Sequence, residues 1–174
     1  MSNFTGIEVK RSEFALTQVV LQKDKNLTVK FIIAKNNNGN IFQADGQLTY
    51  KHQSTEAFQL KLRELQPYLC KIKKVKDEAF PTIHVKGLKL SGSDDNEGFE
   101  ILGYQTSDKD GKMDCSSHKI HYEGEEYSWL DEIREIAEEI ENRTFAYLFE
   151  GEKAEPTLFE DVEEVNEEEE NTEE

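Results

Sequence analysis

The chain has 174 residues with 37 Asp and Glu against 21 Lys and Arg, a formal net charge of −16. That length suits one domain, and the acidity argues against a surface that binds nucleic acid or anionic membrane everywhere. The charge is unevenly spread: from Glu123 onward there are twenty-two acids against three basic residues, leaving the first 122 residues at +3.

Phe14 to Leu21 predicts a strand, Lys23-Asp24-Lys25-Asn26 a turn, and Leu27 to Ala34 a second strand, together an antiparallel hairpin. Leu27, Val29, Phe31 and Ile33 would share one face, because alternate side chains in a strand point the same way. Asn36 to Asn40 predicts a loop, and Gln47 to Lys51 a short strand. Ser54 is the expected N-cap of a helix whose stripe is Phe58, Leu62, Leu65, Leu69 and Ile72. Pro67 interrupts that stripe and leaves two readings. One is a single kinked helix from Thr55 to about Lys74, which the unbroken period favours; the other is a helix to Leu65 followed by a strand over residues 69–76.

Thr82 to Leu90, Phe99 to Thr106 and Lys112 to Tyr122 predict a three-stranded antiparallel meander joined by Ser91 to Gly98 and by Asp108 to Gly111. Gly87 and Gly103, inside two of these strands, predict bulges or close packing beneath a helix. Ser128 to Asp131 fits a capping-box start, and Leu130, Ile133, Ile136, Ala137, Ile140, Thr144, Tyr147 and Leu148 trace one helical face that Gly151 ends. The Glu-rich stretch beyond Glu160 predicts disorder. The expected fold is α+β over residues 1–151: an antiparallel sheet packed by helices near 55–74 and 129–149, followed by a disordered acidic tail, 152–174.

No motif names a reaction. Cys115, His118 and His121 would fall on opposite sides of a strand, which does not suit a zinc site. Asp108 to Gly111 lacks the glycine and glutamate positions of a calcium loop, and Gly111-Lys112 lacks the rest of a phosphate loop. The expectation is a non-enzymatic protein that needs no cofactor. Two cysteines (Cys70 and Cys115), no basic-then-apolar start and no long apolar run point to a reducing cytoplasm with free thiols and no membrane.

Two features point to partners. Lys61, Arg63, Lys71, Lys73, Lys74 and Lys76 lie within sixteen residues that contain one acid, Glu64. Lys86 and Lys89 would extend them into a basic face for single-stranded DNA, with Tyr68, Phe80 and Tyr104 as candidates for stacking on bases. The second feature is Leu158-Phe159, the one apolar island of the tail. Glu155 to Phe159 resembles the Q-x-x-L-F peptides that dock into bacterial sliding clamps, except that Glu155 replaces the glutamine.

Three pieces in order also resemble small proteins of bacteriophages and prophages found among replication and recombination genes: Phe58 to Ile72 with Pro67, Val85 to Leu102, and Ala146 to Pro156. An acidic tail on a basic body is similar to the plan of single-stranded DNA-binding proteins. Together these resemblances imply a DNA replication or recombination accessory protein, with Leu158-Phe159 recruiting a partner such as a sliding clamp. The alternative is an acidic inhibitor or DNA mimic that binds a host protein.

Overall fold

The computed structural model describes residues 9–37, 40–92, 97–107, 111–123 and 127–151. The expected disordered tail, with Leu158-Phe159, lies outside them.

β1 (Phe14–Leu21) and β2 (Asn26–Asn37) form the first hairpin, with Phe14 opposite Ile33 and Val19 opposite Val29. A register shift between Leu16 and Gln18 keeps Phe14, Leu16 and Val19 all buried on one face. Residue 36 is not in a loop, and the next strand is not short. β2 runs to Asn37, and β3 spans Asn40–Gln53, fourteen residues paired to β2 almost throughout. Its alternation is easy to miss because its apolar row, Phe42, Ala44, Gly46, Leu48 and Tyr50, contains Ala and Gly. Gly46 has a packing reason: a Cβ there would stand 2.4 Å from the Phe31 ring, which lies across β3.

The expected Ser54 cap is a correction. Thr55 caps α1 (Glu56–Arg63), its hydroxyl accepting from the Phe58 N–H, while buried Ser54 donates its hydroxyl to the Lys25 carbonyl. The helical arm is two helices rather than one with a kink, for α2 (Gln66–Lys73) starts afresh after Leu65. Pro67 falls in the first turn of α2, where its missing N–H has no helical partner to lose. The stripe Phe58, Leu62, Leu65, Leu69 and Ile72 is buried from end to end, and residues 69–73 are helix, not strand.

After a 3-10 turn (Asp77–Thr82), β4 (Ile83–Ser91) and β5 (Gly98–Ser107) pair antiparallel. A register shift falls between Val85 and Gly87, and a Cβ on Gly87 would meet the Val19 carbonyl oxygen at 2.2 Å. A Cβ on Gly103 would meet Leu69 Cδ2 at 2.5 Å, so α2 does lie directly on this strand. The third meander strand is broken into β6 (Gly111–Asp114) and β7 (Ile120–His121). Serines between them replace ladder partners: Ser117 donates its N–H to the Ile101 carbonyl at 2.8 Å and accepts the Ile101 N–H on its hydroxyl at 2.9 Å.

The closing helix α3 (Leu130–Phe145) has Trp129 at its N-cap and no side-chain cap bond, so the Ser128 capping box does not form. Trp129 instead stacks on Tyr127. A π-helical turn, Ala146–Glu150, extends α3 to Gly151, which stops it at φ 79°. This turn brings Phe149 beside Phe14 and Phe31 in an aromatic cluster with Phe145. Glu141 pins α3 to β1, one oxygen accepting the Leu16 N–H at 2.7 Å and the other the Arg11 guanidinium at 2.8 Å.

Among the described residues the sheet has seven strands in the order β3-β2-β1-β4-β5-β6, with β7 also pairing β5. Every pairing is antiparallel. The α1–α2 arm and α3 pack on one face, and α3 also touches α1. The fold is the expected α+β class, an antiparallel sheet packed by two helical arms. The opposite sheet face carries no helix among the described residues.

Candidate nucleic-acid interface

The uncovered face holds a groove of about 540 Å³ where the β1–β2 turn approaches β4, β5 and β6. Four lysines line it: Lys23 and Lys25 from the turn, Lys86 from β4 and Lys112 from β6. Tyr104 and Asp114 share its wall with Val20, Leu21, Gln22, Val85 and Met113. These residues meet because β1 pairs β4, with Val20 opposite Gly87, which brings the turn after β1 alongside Lys86. Lys25 takes a left-handed backbone, φ 65°, at a cost of roughly 1 kcal/mol. Its carbonyl accepts two hydrogen bonds from Ser54, both 3.0 Å, which hold the turn in that shape.

Tyr104 lies opposite His84 in the β4–β5 ladder, and the two rings stack with centroids 5.0 Å apart and planes at 30°. The Lys112 ammonium sits 4.4 Å from the Tyr104 ring centroid, a cation–π contact. Lys86 pairs with Asp114 at 3.5 Å. Burial pushes the Asp114 carboxyl up, but hydrogen bonds from Ser116 together with the Lys86 ammonium outweigh it and hold the carboxyl below its usual range. The groove therefore sets four ammonium groups against one carboxylate, beside a pair of stacked rings. That combination suits a phosphate backbone with an unstacked base.

The lysines expected to form one face are divided between two. Lys61 points at α3, where it pairs with Glu139 at 2.6 Å and Glu64 at 2.9 Å. The hydrogen bond to Glu139, then that to Glu64, raises its pKa. Arg63, Lys71, Lys73, Lys74 and Lys76 are exposed on the helical side. Lys71 lies 5.2 Å from the Tyr68 ring centroid. Tyr68 donates its hydroxyl to Glu132 at 2.5 Å, a bond that, with burial, pushes the phenol up to about 12. Phe80 is partly exposed next to that arm.

Lys86 and Lys89 project from the opposite, uncovered side of the sheet, where Lys89 pairs with Glu100 at 2.7 Å. The division follows from geometry: α2 covers the Gly103 side of β5, and Tyr104 with its strand partners points the other way. One link runs around the β6 edge. Lys73 donates to the Ser116 carbonyl at 3.3 Å, Ser116 donates to Asp114 at 2.9 Å, and Asp114 pairs with Lys86.

Nothing in the sequence sets Lys23, Lys25 and Lys112 apart, since each looks like an ordinary turn or strand lysine. Only the β1–β4 pairing gathers them, and no local signal announces that pairing. Cys115 is buried at the β5 edge, while His118 and His121 are exposed. Among the described residues no three His, Cys, Asp or Glu side chains converge on a metal position. No helix among them is long and apolar enough to cross a membrane.

No family model, curated protein or solved structure matches this chain.

Proposed function

We propose that this protein is a non-enzymatic accessory factor of phage-type DNA replication or recombination. It binds single-stranded DNA on the uncovered sheet face and recruits a partner protein, such as a sliding clamp, through Leu158-Phe159 of its acidic tail. The observation that carries the reading is the groove itself: Lys23, Lys25, Lys86 and Lys112 around Tyr104 and its stacked neighbour His84. Lysines there neutralise phosphates, and Tyr104 offers a ring to a base. The exposed Lys71, Lys73, Lys74 and Lys76, of which Lys73 is linked to Lys86 through Ser116 and Asp114, give a longer strand somewhere to continue.

The test is binding of the full chain to fluorescent oligonucleotides over a salt series. Lys86→Glu with Lys112→Glu should abolish measurable binding, and Tyr104→Ala should weaken it by about 1–3 kcal/mol. Each lost phosphate contact should reduce the slope of log K against log salt by about 0.7. Binding unaffected by the charge reversals, or no binding at low salt, sinks the reading. Equal affinity for RNA would move the protein outside DNA metabolism.

A second reading has its own observation. The outward side of α3 exposes Asp131, Glu132, Glu135 and Glu138 as an acidic ridge. This ridge and the tail would imitate DNA toward a basic host protein. That reading expects no affinity for oligonucleotides, and it expects complexes that charge-neutral substitutions along α3 abolish.

A further inference from the structure

The other edge of the sheet, β3, poses a question that the nucleic-acid reading does not touch. Its apolar row begins in the core and runs out of it. Tyr50 packs against Tyr147 with ring centroids 4.6 Å apart, and Leu48 is partly buried against the core. Gly46 lies under Phe31. Beyond it Ala44 is exposed, and Phe42 is 63% exposed. Alternation of this kind marks a strand with one buried face, yet nothing among the described residues buries the first half of this one.

Among the described residues no strand pairs with the outer edge of β3 either. Edge strands are ordinarily guarded by proline, charge, bulges or shortness. β3 contains no proline, and its register with β2 runs unshifted from Asn40 to Thr49. From Asn40 to Tyr50 its only charged residue is Asp45. This lack of positive charge argues against the chain's own acidic tail as the occupant.

We propose that two copies of this protein join edge to edge, β3 antiparallel to β3, about a two-fold axis at Gly46. In this register Phe42 lies opposite Tyr50 of the second copy, and Ala44 lies opposite Leu48. Gly46 meets its own counterpart. The polar face matches as well: Gln43 lies opposite Thr49, Asp45 lies opposite Gln47, and no like charges meet at these positions. Each Phe42 thereby gains an aromatic cross-strand neighbour that the described residues of one copy do not supply. The contact is isologous and closes at two copies. With the axis perpendicular to the sheet, both uncovered faces point the same way. The dimer then presents two lysine grooves on one side, although the pairing itself does not depend on what those grooves bind.

The experiment is analytical ultracentrifugation of the full chain over a wide concentration range, with two variants. The wild type should sediment as a dimer at high concentration. Phe42→Lys combined with Ala44→Lys should raise the dissociation constant about tenfold or more without changing the circular dichroism, since both positions are exposed. Asp45→Cys with Gln47→Cys should trap a covalent dimer on a non-reducing gel, because the native Cys70 and Cys115 are buried. A monomer at every concentration overturns the proposal. So does a dimer that the double lysine variant leaves intact, or one that the introduced cysteine pair fails to lock. If removing residues 152–174 turns a monomer into a dimer, the tail is the occupant and the second copy is not.

Discussion

The two edges of this sheet solve the same problem in opposite ways. The β3 edge is fourteen residues long, has only Asp45 and Lys51 as charged residues besides His52, and keeps its register with β2 unshifted from Asn40 to Thr49. The β5 edge gives its partners only in fragments: four residues in β6, two in β7, and serines in between. Ser116 and Ser117 occupy backbone groups that another strand would otherwise claim, and α2 presses Leu69 against Gly103 from above. Where side chains already hold the backbone groups of β5 a further strand has nothing to pair with, whereas bare edge backbone can take one. The sheet is thus clasped at one end and, among the described residues, open at the other.

The largest expected effect falls on the clasped edge. Gly103→Val should cost about 3 kcal/mol or more in urea unfolding, because its side chain would collide with Leu69 and with the His84 carbonyl. A loss below about 1 kcal/mol would mean that α2 yields easily and the edge is softer than its packing suggests. Ser117→Ala should cost about 1–3 kcal/mol, since it strands the buried Ile101 N–H. The sharper readout is hydrogen exchange, where the Ile101 amide should lose protection while amides in the middle of β2 keep theirs.

A smaller effect joins the two helical arms between these edges. The hydrogen bond from Lys61, with help from Arg143, holds the Glu139 carboxyl below its ordinary range. A carboxyl depressed by folding lends its stabilisation in full above its unfolded pKa and loses it as pH falls through the folded value. The wild type should therefore lose more thermal stability than Glu139→Gln between about pH 5 and pH 3. Parallel melting curves across that range would remove Glu139 from the account. The smallest effect belongs to the bare edge: Gln43→Lys on β3 should change the unfolding free energy of dilute protein by less than about 0.5 kcal/mol. A large loss there would show that β3 is braced in the single copy after all.

Legibility followed the range of the interactions. β1 matches its expected span residue for residue, because Val, Leu and Phe in a short run already specify a half-buried strand. The stripes of α1, α2 and α3 were equally plain, since periodicity is local. Glycines proved good guides, Gly87 to a bulge and Gly103 to an overlying helix. Hidden were the features that depend on a distant partner. Residues 115–119 look like strand until Ile101 is seen to bond a serine hydroxyl. Phe145 and Phe149 lie off the expected stripe and join the core through Phe14 and Phe31. The basic cluster was legible as composition but not as a surface, because only strand order decides which lysines share a face.

The chain has a single tryptophan, and Trp129 stands where the two helical arms meet, between Tyr127 and Tyr68. Its emission and near-ultraviolet ellipticity therefore report the docking of α3 onto α2 as a built-in optical gauge. Both tyrosines lie within 5.2 Å of it, centroid to centroid, close enough to pass excitation to the indole. Separation of the arms would take Tyr68 away from the indole while Tyr127, two residues along the chain, stays beside it, so fluorescence reads the contact between the arms and backbone dichroism reads the sheet and helices.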